Sequence, residues 1–226
     1  MRKNSVANRN GSNGNAKRPP GRPRSEHARL AILRTTLKVL GETGFSNLTI
    51  EEVAERASVG KATVYRWWPD KAALIADAFA SSTVSKLHFP DTGSVYSDMS
   101  QQMRQLIRVF RSPRGRIVSA ILAAGQSDRT LLSAFRERFM LPRRREAYAT
   151  LDRGIARGEL RRTIDRDLLL DTLYGAIYMR FLIQHDQLTP DFVDHLCALV
   201  LSGARPQPRK TPRNANLLPA LRTHRS

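Results

Sequence analysis

Apolar positions recur at intervals of three and four along almost the whole chain, the period of an α-helix rather than the two-residue alternation of a strand. Leu30, Leu33, Leu37 and Leu40 form a first stripe, closed by Gly41 and Gly44. Thr49 followed three residues later by Glu52 reads as a capping box, and Ile50, Val53, Ala54 and Ala57 give the helix it opens one apolar face. Ser58-Val59-Gly60 breaks that helix. Residues 61–68 predict about two more turns before Pro69 stops them, and Asp70 caps a fourth helix carrying Leu74, Ile75 and Phe79. Beyond residue 90 come further stripes: Met99/Met103/Leu106/Phe110, Ile117/Ile121/Leu122, and Leu131/Phe135/Phe139, which Pro142 breaks before Tyr148, Leu151 and Ile155 resume.

The segment 167–183 differs from these. Only Asp171, Thr172 and Arg180 interrupt its interior, so it is apolar nearly all round and must be covered on several sides. The last helix opens with Thr189-Pro190, a cap followed by proline at the first helical position, and carries the stripes Phe192/Leu196/Leu199 and Val193/Cys197/Val200. Two apolar faces exceed what one subunit's core requires. The last two helices are therefore expected to serve both core and subunit interface, with Leu173, Ile177, Phe181, Phe192, Leu196 and Val200 at the interface. No strand pattern is visible, and the expected fold class is all-α, with about nine helices.

Composition narrows the setting. The 226 residues, 41% hydrophobic, suffice for a substantial core, and the single cysteine, Cys197, excludes an intrachain disulfide and fits a reducing compartment. No apolar run reaches 18 residues, so a cytoplasmic chain with no membrane partner is expected. The net charge of +18 sits mainly in two tails: residues 1–25 hold seven Lys/Arg and no acid, and residues 203–226 hold six and no acid. Residues 1–25 read as a disordered basic arm and 205–226 as a disordered basic tail, arms of the kind that seek a polyanion, with nucleic acid the first candidate and a solubilising role the alternative.

The stretch 57–75 concentrates the candidate chemistry. A phosphate loop fails there, because Glu55 stands where the first glycine belongs and Ala62 follows Lys61. A short helix, a three-residue turn and a second short helix have the dimensions of a helix–turn–helix, with Ala54 small at the helix crossing and Val59 apolar where the turn enters the core. Lys61, Ala62 and Thr63 then offer a phosphate or guanine partner, a small apolar contact and a hydroxyl to a major groove.

The residues of 49–75, TIEEVAERASVGKATVYRWWPDKAALI, resemble the signature of tetracycline-repressor-type (TetR family) regulators, over about residues 26–80; 156–183 resembles the C-terminal domain of one branch. The resemblance implies a three-helix DNA-binding unit (26–80) before a helical ligand-binding and dimerisation domain (81–204). It puts Lys61, Ala62 and Tyr65 on the groove side, and Thr49, Thr63, Tyr65, Trp67 and Lys71 on the DNA backbone. Val64 and Trp68 read as packing residues. Trp67 stays open between packing and a phosphate bond, and Arg66 between a DNA contact and a solvated side chain. Ser58 occupies a turn position where the family usually has glycine, because a left-handed backbone is wanted there. Ahead of the first helix, Gly-Arg-Pro followed by Arg24 partly resembles an AT-hook, with Arg22 and Arg24 for a minor groove, although Pro20 stands where a full hook has arginine.

The same resemblance implies an effector cavity among the middle helices, for which Met103, Phe110, Ile121, Phe139, Tyr148, Tyr174 and Tyr178 are candidates, and a four-helix bundle made by the last two helices with their mates. His27, His88, His185, His195 and His224 show no metal-ligand spacing, no nucleophile–base pair stands out, and neither metal nor cofactor is expected. Arg143-Arg144-Arg145 reads as a solvated helix face. The functional expectation is a dimeric, sequence-specific regulator of double-stranded DNA, a repressor released by a small molecule and not an enzyme. The alternative is an architectural protein that coats DNA through its tails.

Overall fold

The computed structural model describes residues 25–206, and every regular element among them is helical. The elements are α1 (Glu26–Asn47), α2 (Ile50–Arg56), α3 (Lys61–Tyr65), α4 (Lys71–Thr83), α5 (Val95–Phe110), α6 (Pro113–Gly125), α7 (Arg129–Phe135), α8 (Leu141–Ala156), α9 (Arg166–Ile183) and α10 (Pro190–Gly203). A π turn, Arg136–Met140, joins α7 to α8 without a break, so the described residues form nine helical rods. Arg22, Arg24, the basic arm and nearly all of the C-terminal tail lie outside the described residues.

Local chemistry sets most helix starts. Ser25, Thr49, Asp70, Asp128, Asp165 and Thr189 each accept a backbone N–H of their own first turn, from 2.7 Å at Asp70 to 3.3 Å at Ser25. At Gly44 the backbone of α1 leaves helical values, with φ 76° and ψ 176°, so the helix kinks where the glycine permits it and ends in a short extra turn. The π turn has a cause in Pro142. Its missing N–H and bulky ring oppose the ordinary bond to Arg138, and a wider turn absorbs the misfit.

One continuous core runs through the described residues, from Ile32 to Ala204. α4 lies at its centre, packed against α1 on one side and against α7 and the π turn on the other. Ala72 to Ala76, Ala78 and Phe79 are all buried, and Phe79 meets Phe135 at 5.7 Å and Phe139 at 4.9 Å between ring centres. The N-terminal helices and the larger helical body are thus bolted through a single helix. α5 packs on α6, α8 and α10, and α9 lies beside α10.

Three sequence expectations need correction. Leu173 and Ile177 are fully buried and Leu196 nearly so within their own chain, which leaves them unavailable to a partner. Met103 and Ile121 are also core, Met103 lying 3.6 Å from the Cys197 sulfur, and neither is among the residues lining the cavity between α5, α8 and α9. The basic triplet is not a solvated face: Arg143 is buried, Arg144 is half-buried in a web of carboxylates, and only Arg145 is exposed.

Candidate functional site

The helix–turn–helix assembles with Lys61, Ala62, Tyr65 and Arg66 outward. Thr49 caps α2, its hydroxyl accepting the Glu52 N–H at 3.2 Å, while the Glu52 carboxylate pairs with Arg56 at 2.7 Å. The chain turns at Ser58, φ 53°, the left-handed backbone that glycine would hold without strain. The Val59 N–H closes the turn on the Ala54 carbonyl at 2.9 Å, and buried Ala54 gives α3 room to cross. α3 covers Lys61–Tyr65, shorter than the eight residues expected, because the chain tightens at Arg66 and Trp67 on its way to Pro69.

Val64 and Trp68 point inward, with 0% and 1% exposure, while Lys61, Ala62, Tyr65 and Arg66 are exposed and Thr63 is half-buried. The two sides of α3 therefore separate as core and exposed surface. Trp67 is half-buried, its ring 6.1 Å from that of Trp68 and 5.8 Å from the Arg29 guanidinium carbon. Lys71 lies close to the same surface, but its ammonium donates to the Phe45 carbonyl at 3.0 Å and sits over the Phe45 ring, so a phosphate would compete with that clasp.

Lys61 forms an ion pair with Glu51 of α2 across the turn. That bond holds the Lys61 ammonium above, and the Glu51 carboxyl below, its ordinary pKa. The cation at the head of the exposed side of α3 is thus already partnered by an acid.

Two contacts tie this unit to the helical body through one carboxylate oxygen. The Trp68 indole N–H donates to Asp77 Oδ2 of α4 at 2.8 Å, and Arg138 of the π turn donates to the same oxygen at 3.0 Å. The π turn also contributes Phe139 and Met140 to a cavity of about 330 Å³ lined with residues of α5, α8 and α9. Of the expected pocket residues, Phe139, Tyr174 and Tyr178 line this cavity. Phe110 instead stacks on Phe181 at 4.1 Å beside a second, open cavity, and Tyr148 bonds outward to Asp167 and Arg144. Burial pushes the Tyr178 hydroxyl up to about 12 and raises that of Tyr174, which donates to Gln102 at 2.6 Å. Among the cavity residues that pattern reading missed are the polar Gln102, Arg143, Arg144 and Asp171; nothing in their local sequence separates them from ordinary surface positions.

The exposed apolar face was also legible only in part. Leu168, Thr172, Gly175, Met179 and Leu182 are exposed along α9 at intervals of four and three, with Ile183 beside them; α10 adds Leu199, 75% exposed. Of the remaining expected interface residues, Phe181 is half-buried on Phe110, Phe192 is half-buried under the Arg180 guanidinium, and Val200 is half-buried. Gly175 has open space where a side chain would stand. Among the described residues no group of three His, Cys, Asp or Glu gathers as a metal site, and no helix is long and apolar enough to cross a membrane.

Comparison with known proteins meets this geometry at both ends of the chain. Residues 32–78 match the model of bacterial regulatory proteins of the tetR family, and residues 89–200 match that of a tetracyclin repressor-like C-terminal domain. The chain is 40% identical over 185 residues to the uncharacterized HTH-type transcriptional regulator YdeS of Bacillus subtilis, covering 82% of this chain and 93% of that one. It is 29% identical over 187 residues to the DNA-binding transcriptional repressor TetR of Mycobacteroides abscessus, covering 80% and 98%. The crystal structure of the TetR family transcription regulator SCO0332 aligns with a TM-score of 0.69 and 35% identity, over 80% of this chain and all of that one.

Proposed function

The chain belongs to the TetR family and is a DNA-binding transcriptional regulator, and from that premise we propose a cytoplasmic repressor that holds a palindromic operator as a homodimer and lets go when a small molecule enters the α5–α8–α9 cavity. The carrying observation is the two-sidedness of α3. Val64 and Trp68 lock it to the core, so Lys61, Ala62, Tyr65 and Arg66 are presented on a fixed scaffold. In this reading residues 26–80 are the DNA-binding unit and 81–204 the effector and dimerisation domain.

Lys61 and Ala62 meet base edges, and Thr63 and Tyr65 give their hydroxyls to phosphates, with Thr49, Trp67 and Lys71 flanking them and Arg66 reaching either. Arg22 and Arg24 follow the adjacent minor groove. One such helix reads only a few base pairs; two, about 34 Å apart, read an inverted repeat. The outer stripe of α9 together with Leu199 supports the pairing, since an uncovered apolar surface of that extent invites a partner. A fixed contact face favours this reading over a DNA-coating protein, whose binding would reside in the tails alone.

Release follows from the shared carboxylate. Phe139 and Met140 wall the cavity, and Arg138, next to them, bonds Asp77, which also holds Trp68 behind α3. A ligand that shifts the π turn shifts α4, and with it the spacing of the two recognition helices. Binding one spacing better than the other is all that allostery requires. Selection of bound duplexes from a random pool tests the whole reading: an inverted repeat with two chains per duplex is expected. A pool that stays random, or a consensus without symmetry, contradicts it.

A further inference from the structure

The cavity holds one cation whose hydrogen bonds are incomplete. Arg143, on the first turn of α8, is 9% exposed and lines the cavity. Its Nη1 donates to Glu146 at 2.7 Å, but Nε and Nη2 are buried with no acceptor. Native interiors seldom leave charged donors in that state, because an unpaired buried N–H has lost its water without replacement. The two unpaired nitrogens are those whose N–H bonds run parallel along one edge of the guanidinium. That edge matches the two oxygens of a carboxylate.

The neighbouring Arg144 makes the contrast. It donates to Tyr148, to Asp167 twice, at 3.0 and 2.6 Å, and to Asp171 at 2.7 Å, so its charge is already balanced by two acids. Arg143 has only Glu146, whose side chain is 47% exposed. The guanidinium is also held in place. Its carbon lies 4.7 Å from the centre of the Phe89 ring. The loop that carries Phe89 is pinned by Thr92, which donates N–H and hydroxyl to buried Asp98 at 2.7 Å each, and by Arg153 on the Pro90 carbonyl at 2.9 Å. Leu87, Leu106, Phe139, Met140 and Leu170 supply apolar wall beside this fixed edge.

We propose that the ligand of this cavity is an organic acid: an apolar body seated among Leu106, Phe139 and Leu170, with its carboxylate bridging Nε and Nη2 of Arg143. The proposal rests on the ligand-released reading above and names the chemistry of its ligand. A volume of about 330 Å³ is near the lower end of the ~300–1,000 Å³ range of small-molecule sites, which suits a compact acid better than a long one.

The test pairs acids with neutral twins of the same shape on the full chain: octanoate with octanamide, and 2-naphthoate with 2-naphthamide. Calorimetry measures binding, and fluorescence anisotropy measures release from a selected operator. At least one acid is expected to bind ten-fold or more tightly than its amide, and Arg143→Met is expected to remove that preference while leaving amide binding unchanged. Arg143→Lys, which keeps the charge but loses the two-nitrogen edge, is expected to retain only part of it; thermal melts of both variants report folding. Equal binding of acid and amide, no binding by either acid, or an undiminished preference in folded Arg143→Met overturns the proposal. Release of DNA by the amides but not the acids sinks the proposal and keeps the ligand-released reading. Acids that bind through Arg143 without releasing DNA support the proposal and sink that reading.

Discussion

α4 and α9 are both apolar around most of their circumference, yet the chain covers them differently. α4 is enclosed by its own molecule: α1 lies on one side, α7 and the π turn on the other, and seven of its first nine residues, including Leu74, Ile75 and Phe79, fall within the core. α9 is enclosed on one side only. Leu169, Leu170, Leu173 and Ile177 face inward, while Leu168, Met179, Leu182 and Ile183 stand in solvent. An all-round apolar helix needs a cover, but the cover need not come from the same chain. The first helix couples two parts of one subunit, and the second, in our reading, couples two subunits.

The largest effect that sharpens this contrast is expected in α4. Phe79→Ala removes a ring that touches both Phe135 and Phe139, and should lower unfolding free energy in urea by about 3–5 kcal/mol. In α9 the double change Met179→Glu with Leu182→Glu should leave the helical circular dichroism intact. It should weaken operator binding about 100-fold or more, because two unpaired recognition helices no longer share one duplex. Equal losses of stability from both changes would erase the distinction between the helices.

Smaller changes probe the surface that α4 supports. Ser58→Gly relieves the left-handed backbone at the turn and should stabilise the chain by about 1 kcal/mol, read from the denaturation midpoint. Glu51→Gln removes the acid that occupies Lys61 and should tighten operator binding by about two- to five-fold at low salt, with a smaller gain as salt screens the site. A loss of affinity in that variant would show that Glu51 positions Lys61 rather than competing for it.

The N-terminal unit was readable because its punctuation is local. Thr49, the 58–60 break, Pro69 and Asp70 mark each boundary within a few residues, and α3 deviates only in ending at Tyr65. The periodicity of α9 could not say which side faces home, since Leu173 and Met179 are equally apolar. The signal was in the exceptions: Thr172 and Gly175 both fall on the outer stripe, where a polar or small residue is tolerated. The cavity was the least legible region. Phe139, Tyr174 and Tyr178 stood out as aromatics, but Met103 and Ile121 have the same pattern and pack solidly. Arg143 looked like its neighbours because its inward turn depends on Phe89, far away in sequence, and on no local motif.

Sedimentation velocity on the unmodified chain at micromolar concentration, without DNA or effector, reads directly whether a second copy covers the outer stripe of α9. A single species with the mass of two chains is expected, converted to one-chain particles by the Met179/Leu182 double change. A stable particle of one chain before any substitution would contradict this pairing.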